Sequence, residues 1–109
     1  MDNYEYTQLL KTLSQKLSNI ESILKPNEIE QRLNQITQME QDPSFWSNQD
    51  KATTISKEKN MLLSKKTKFT KAKDSITDAQ ELYQMAIDEN DEETIEMLFS
   101  EASHLEELI

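Results

Sequence analysis

Apolar side chains recur every seven residues in the middle of the chain, between positions 51 and 87. A sustained seven-residue repeat is typical of a helix that packs along a coiled-coil seam. The repeat consists of Ile55, Leu62, Phe69, Ile76 and Tyr83, with alanines between them at Ala52, Ala72, Ala79 and Ala86. At about 1.5 Å per residue, this helix would be roughly 55 Å long, too long to form a core by itself. We therefore predict a long central helix against which the other helices pack.

Shorter apolar stripes precede and follow this repeat. Their apolar positions alternate in steps of three and four residues, which places them on one face of an α-helix. The first stripe runs from Tyr6 to Leu24, and the last runs from Ile95 to Ile109, where it is still continuing. Together with the central repeat, these stripes predict four helices near 3–24, 27–40, 49–87 and 92–109.

Polar residues and the two prolines mark the helix boundaries. Lys25 is expected to end the first helix, because the residue before Pro26 is pushed out of the right-handed α region. Asn27, followed three residues later by Glu30, is expected to cap the second helix. The cap expected for the long helix is either Ser47, with Asp50 three residues later, or Asn48. In a chain without glycine, Asn90 is the residue best able to adopt the left-handed conformation that closes a helix; alternatively, it caps the next helix together with Glu93.

The composition favours an almost entirely helical domain. The chain has 109 residues, no glycine and two prolines, and 35% of its residues are hydrophobic. Hairpin turns usually need glycine, and no run alternates apolar β-formers with polar residues, so strands are not expected. The low apolar content is enough for narrow seams between long helices. We predict an all-α fold: a single domain built as an elongated antiparallel bundle, or coiled coil, of four helices.

Few residues in this chain could carry chemistry. It has no cysteine and one histidine, so no thiol site, transition-metal site or nucleophile–base–acid set is expected. Without glycine, a phosphate-binding loop cannot form. His104 lies among acidic residues and is interpreted as a surface side chain rather than as a ligand or base. We expect no catalytic residue, no cofactor and no metal.

No targeting or membrane segment is evident. The N-terminal residues MDNYEYTQLL lack the basic and apolar regions of a signal peptide, and no apolar run approaches the length of about 18 residues needed to span a bilayer. We therefore expect a cytoplasmic protein without membrane contact.

The charge of the chain is unevenly distributed. Residues 51–73 carry eight lysines and one acid, Glu58, whereas residues 74–109 carry twelve acids and neither lysine nor arginine. A solvated helix face is the preferred interpretation of the lysines. The alternative is a patch that contacts RNA phosphates or an acidic protein surface. Lys65, Lys66 and Lys68 are the candidates for that patch.

Two large aromatic residues, Phe45 and Trp46, follow the Asp42-Pro43 pair in a predicted loop. They could be a structural plug that caps the bundle, burying about 150 to 250 Å² each, or exposed anchors for a partner. We prefer the plug, because an exposed Phe-Trp pair favours aggregation. Trp46 is accordingly predicted to be mostly buried against the first and third helices.

The aromatic loop and its surroundings resemble a known family. Residues 42–46 match a D-P-x-[FW]-W element, and residues 52–58 match the A-x-x-x-x-K-E step that follows it. With Arg32-Leu33 before them and the acidic hinge of residues 91–93 after them, this order resembles the N-terminal helical domain of bacterial class I peptide chain release factors, in the release factor 2 branch. The likeness covers nearly the whole chain, and the aromatic loop is its most specific part.

The resemblance implies a role in translation termination. Members of this branch recognise the stop codons UAA and UGA on the ribosome and trigger hydrolysis of peptidyl-tRNA through a downstream Gly-Gly-Gln loop. A chain without glycine cannot contain that loop. The resemblance implies a positional, non-catalytic domain that approaches the stalk base of the large ribosomal subunit, while mRNA contacts belong to downstream domains.

The residue pattern by itself is also compatible with two other functions. A free-standing coiled-coil adaptor or dimerisation module would show the same heptads, and helix-mediated self-association would cover any exposed stripe. An RNA-binding helical hairpin built on the lysine cluster ranks last and would show steep salt dependence of its affinity.

Overall fold

The fold consists of helices only. A computed structural model describes all 109 residues of the chain. It contains no strand and six helices: α1 (Asn3–Leu24), α2 (Pro26–Glu40), α3 (Pro43–Ser47), α4 (Gln49–Asp88), α5 (Glu92–Ser100) and α6 (Ala102–Glu107). The all-α class and the long helix are confirmed, whereas the predicted number of four helices is wrong.

Two additional helices account for the difference. The predicted aromatic loop contains the short helix α3, and the last predicted helix is divided into α5 and α6 at Glu101. The φ and ψ angles of Glu101 are −96° and 1°. Its N–H is shared between the carbonyl oxygen of Met97, four residues earlier, and that of Leu98, three residues earlier, at 3.1 and 3.2 Å. The regular hydrogen-bond pattern thus tightens toward a 3₁₀ turn at Glu101 without a glycine or proline.

The helix ends follow local backbone chemistry. Lys25 has a φ of 53° and ends α1 as predicted. Helix α2 begins at Pro26. Proline has no backbone N–H, which costs nothing in the first turn of a helix because N–H groups there have no partner within the helix. Asn27 lies inside α2, so its predicted capping role is wrong. The Asn48 side chain accepts from the Lys51 N–H at 3.2 Å, so Asn48 and not Ser47 caps α4. Asn90 has a φ of 54°, as predicted for the residue that closes α4, whereas the side chain that caps α5 is that of Asp91.

The chain divides into two compact units. The terminal unit consists of Met1–Ile20 with Phe69–Ile109, and the middle unit is Glu21–Lys68. Helix α4 contributes its first part to the middle unit and the remainder to the terminal unit.

The terminal unit has an aromatic and aliphatic core. One buried cluster joins residues of four helices: Tyr6, Leu10, Ala79, Leu98 and Ala102. The Tyr6 ring centroid lies 4.9 Å from that of Tyr83 and 5.4 Å from that of Phe99. Tilted aromatic pairs at these distances stabilise a core beyond the area that they bury.

Helices α1 and α4 run antiparallel within the terminal unit. The Tyr83 hydroxyl lies 3.0 Å from the Asn3 side-chain oxygen, and the Gln80 amide donates to the Ser14 hydroxyl at 2.7 Å. The later position on α1 thus pairs with the earlier position on α4.

The middle unit places α2 along the first part of α4. Its buried side chains come from α2, α3 and α4: Ile29, Leu33, Ile36, Phe45 and Ala52. Glu30 pairs with Lys66 and Glu40 pairs with Lys59, so the two helices are again antiparallel.

The heptad seam of α4 is covered by other helices of the same chain. Phe69 and Ile76 are buried, and Ile55, Leu62 and Tyr83 are half-buried. The residue three positions after each of them differs between the units. In the terminal unit it is always a buried alanine: Ala72, Ala79 and Ala86. In the middle unit it is Glu58 or Lys65.

Candidate docking surface

Helix α3 is positioned by the side chain of Asp42. One carboxylate oxygen of Asp42 accepts hydrogen bonds from the backbone N–H and the hydroxyl of Ser44, at 3.0 and 2.9 Å. These bonds, the backbone one first, hold the pKa of Asp42 below its usual value. Pro43 occupies the first helical position, where its fixed φ suits a helix start. This local cap folds a segment of only five residues into a helical turn.

The two aromatic residues of α3 differ in exposure. Phe45 is 6% exposed and belongs to the core, whereas Trp46 is 56% exposed. The prediction that Trp46 is mostly buried is therefore wrong. A single helical turn cannot direct two adjacent side chains into the same core, and Phe45 takes that position.

Trp46 is nevertheless held in place. Its indole N–H donates to the Glu40 carbonyl oxygen at 2.8 Å, and its ring meets the Phe45 ring edge to face, with centroids 4.9 Å apart. A partly exposed aromatic ring with a fixed orientation loses little conformational freedom on binding a partner, which is a property of interface anchors. The alternative interpretation of Trp46, an exposed anchor, fits this geometry.

Three ion pairs connect α2 to α4 in the middle unit. Arg32 donates to both carboxylate oxygens of Glu58, at 2.7 and 2.9 Å. Lys59 contacts both oxygens of Glu40 at 3.0 Å. The third pair is Lys66 with Glu30, and all three are partly exposed to solvent. Salt bridges in such positions fix register more than they add stability.

The Arg32–Glu58 pair is the strongest of the three in geometry. A planar guanidinium matches a carboxylate with two parallel bonds, which lysine cannot do. The hydrogen bonds from Arg32, followed by its charge, lower the pKa of Glu58, and the same contact raises the pKa of Arg32. Sequence reasoning did not pair these residues, although Arg32 is the only arginine in the chain and Glu58 is the only acid among the lysines.

The three candidate lysines are in different environments. All are exposed, but Lys66 is paired with Glu30, whereas the structure gives no ion pair to Lys65 or Lys68. The exposed cations on this part of α4 are therefore fewer than the lysine count suggests. Of the three candidate lysines, Lys65 and Lys68 therefore remain available to a partner, as does the exposed part of Trp46 on α3.

The remaining candidates for chemistry stay apart. His104 is exposed, and its Nδ1 lies 3.9 Å from a Glu107 oxygen one helical turn away. No three histidine, cysteine or acidic side chains gather closely enough to hold a metal ion. No helix combines the length and apolar content required to cross a bilayer.

Comparison with known proteins gives consistent matches. A family model described as the PCRF domain matches residues 29–109. The chain is 52% identical to peptide chain release factor 2 of Aliarcobacter butzleri, 50% identical to that of Nitratiruptor sp., and 45% identical to that of Sulfurimonas denitrificans. Each match covers 100% of this chain and 30% of the relative. The chain therefore spans about a third of the length of the curated relatives it matches.

Proposed function

The chain belongs to the PCRF domain family, and from this membership we propose that it is the N-terminal helical domain of a cytoplasmic release factor that acts in translation termination at UAA and UGA codons. The observation that carries this proposal is the identity of about one half to release factor 2 proteins along all 109 residues. The residues matched by the family model, 29–109, span helix α3 and Lys57-Glu58.

The proposed role of these residues is positional. Codon reading and peptidyl-tRNA hydrolysis are assigned to parts of the longer protein, since the hydrolytic Gly-Gly-Gln loop needs glycines that this chain lacks. The domain engages the ribosome near the stalk base of the large subunit. Charges at the edge of an interface act mainly on the rate of association and on its salt dependence. Lys65 and Lys68 are exposed and without an ion pair, which suits that task.

The experiment replaces these two lysines in the full-length factor. Lys65→Glu with Lys68→Glu should lower the association rate constant for ribosomes by about tenfold at low ionic strength, because an attractive field becomes repulsive. Peptide release at saturating factor should be unchanged. Lys66 is left intact, since its reversal would place two carboxylates together at Glu30 and disturb the fold.

A matched control carries the same change in charge elsewhere. Lys11→Glu with Lys16→Glu changes two exposed lysines of α1 and should leave the association rate nearly as it is in the native factor. Normal association combined with slow release in the Lys65/Lys68 variant would refute the positional role.

No specific observation favours the adaptor or dimerisation alternative. The heptad residues that a second chain would cover, Ala72, Ile76 and Ala79, are buried within one chain. No specific observation favours an RNA-binding hairpin either, and two lysines of its cluster, Lys59 and Lys66, already bind carboxylates of α2.

A further inference from the structure

A groove of about 710 Å³ lies in the terminal unit between α4 and the α5–α6 segment. We refer to it as the leucine groove. Its apolar lining comes from both sides: Leu82 of α4, Leu98 of α5, and Leu105 and Leu108 near the C-terminus. Leu82 is 37% exposed, and Leu105 and Leu108 are half-buried. These side chains leave apolar surface that the chain does not cover.

Acidic side chains surround this apolar floor. Asp78, Glu101 and Glu107 line the groove and are exposed. The only cations in the lining are Lys71 and, when protonated, His104. None of the three acids bonds to a cation of another helix, and Glu107 meets only His104 within α6. The acids therefore leave a negative rim available to an incoming positive charge.

A buried hydroxyl without a partner lies in the same lining. Tyr6 is 0% exposed, and its hydroxyl makes no hydrogen bond. Burial, followed by the nearby charge of Glu101, raises the pKa of Tyr6, so the group stays a neutral donor and acceptor. An unpaired buried polar group is destabilising, and native structures usually satisfy such groups. Here the unsatisfied atom belongs to a residue that lines an open groove.

We propose that the leucine groove binds a cationic amphipathic helix of a partner protein. Apolar side chains of the partner, spaced three and four residues apart, would pack on the leucines, as in other helix-in-groove complexes. Lysine or arginine side chains beside that apolar face would pair with Asp78, Glu101 and Glu107. A polar group of the partner would bond to the Tyr6 hydroxyl.

Charge complementarity selects this occupant over an acidic or neutral segment. Residues 74–109 carry twelve acids and no lysine or arginine, so an anionic helix would be repelled along the whole segment. The proposal concerns different residues from those assigned to ribosome association above, and it holds whether or not the chain acts in termination.

The test uses the full 109-residue chain and a synthetic probe. The probe is a fluorescently labelled peptide of about 14 leucines and lysines, with leucines at helical spacing on one face, and binding is followed by anisotropy at low salt. A second peptide with glutamate at every lysine position keeps the apolar face. We expect the lysine peptide to bind at least about tenfold more tightly, and equal binding of the two would overturn the cationic assignment.

Matched charge reversals locate the binding site. Asp78→Lys, Glu101→Lys and Glu107→Lys together should weaken binding by at least about tenfold. A control with Asp88→Lys, Glu89→Lys and Glu96→Lys has the same net charge but changes acids outside the groove lining. It should weaken binding by less than about threefold. Equal losses in the two variants would show attraction to net charge alone and would overturn the proposal.

A third variant tests the hydroxyl. Tyr6→Phe removes the hydroxyl oxygen and leaves the ring, so the chain should stay folded and its melting temperature should not fall. The affinity for the lysine peptide should drop by about threefold to tenfold, the range expected for the loss of one hydrogen bond. Unchanged affinity would overturn the assigned contact. A concentration-dependent dimer that the peptide dissociates would identify a second copy as the natural occupant, against the proposal.

Discussion

The two units pack the same helix, α4, by different chemistry. In the terminal unit, the position three residues after each heptad residue is a small buried alanine, and the facing side chains are apolar or aromatic. In the middle unit, that position is Glu58 or Lys65, and three ion pairs link α2 to α4. One helix can therefore combine an apolar seam lined by alanines with a seam flanked by ion pairs, made by Glu58, Lys59 and Lys66.

The difference has a physical consequence for each unit. Small residues allow close approach of helices, and apolar burial changes little with salt or pH. Ion pairs at the surface are weakened by salt and depend on the ionised state of their carboxylates. We therefore expect the middle unit to respond to solution conditions and the terminal unit to depend on exact volume in its core.

The largest effect on the free energy of unfolding is expected from substitutions at the position three residues after each heptad residue of α4. Ala79→Lys places a long charged side chain in the Tyr6 cluster, where a charge has no partner, and should destabilise the chain by about 4 kcal/mol or more. The reciprocal change, Lys65→Ala at an exposed site, should stay within about 0.5 kcal/mol. Urea denaturation followed by circular dichroism measures both. Similar losses in the two variants would remove the distinction between the seams.

The aromatic pair of α3 tests the apolar part of the middle unit. Phe45→Ala should cost about 3 to 5 kcal/mol, because Phe45 fills the core. Trp46→Ala should cost about 0.5 to 2 kcal/mol, since it loses one hydrogen bond and a partly exposed ring contact. The emission maximum of Trp46, the only tryptophan, should indicate partial exposure to water. A blue-shifted emission with a larger loss for Trp46→Ala than for Phe45→Ala would contradict the exposures described above.

The smallest effect is expected at the Arg32–Glu58 pair. Its contact lowers the pKa of Glu58 in the folded state, so its stabilisation is present above the unfolded value of about 4.3 and is lost as the pH falls through the lowered value. Glu58→Gln should therefore lower the melting temperature slightly at neutral pH, with the difference from the native chain shrinking in acid.

Salt should have the same direction of effect. In about 1 M NaCl, where screening acts within roughly 3 Å, the difference caused by Glu58→Gln should also shrink. Glu81→Gln, at an exposed acid of the same helix, serves as the control and should show neither dependence. A Glu58→Gln loss that is constant across pH and salt would mean that the pair acts through packing alone.

The periodic parts of the fold could be predicted from sequence. The stripe at Tyr6, Leu10, Leu13 and Leu17 specifies a buried helix face directly, and all four residues are buried, whereas Ile20, the next position of that stripe, is 37% exposed. The ends of α1 and α4 could also be predicted, because the residue before Pro26 leaves the right-handed α region and Asn90 is the best substitute for a missing glycine. At these helix faces and helix ends, the conformation that the local sequence favours is the one that the fold requires. The pre-proline restriction does not predict the positive φ of Lys25, since it favours extended backbone.

The features that could not be predicted depend on contacts between side chains and backbone that the apolar periodicity of a sequence does not specify. Asp42-Pro43-Ser44 reads as a helix terminator, yet the same residues cap and begin α3, because an aspartate before a proline also suits an N-terminus. The break at Glu101 has no glycine or proline signal. The exposure of Trp46 depends on which of two adjacent rings the core accepts. The lone Arg32 and the lone acid Glu58 did offer a pairing signal in the sequence.

The absence of glycine has a consequence for the joints between helices. Lys25 and Asn90 both adopt positive φ angles without being glycine. For a residue with a side chain, this conformation costs roughly 1 to 2 kcal/mol, less for asparagine. Glycine would remove that cost but would give the unfolded chain more conformations, which is worth about 0.4 to 1 kcal/mol in the opposite direction. The two terms partly cancel in the free energy of unfolding. The remaining difference is that Lys25 and Asn90 have fewer accessible φ and ψ values than glycine would have, which limits how the helices on either side can reorient.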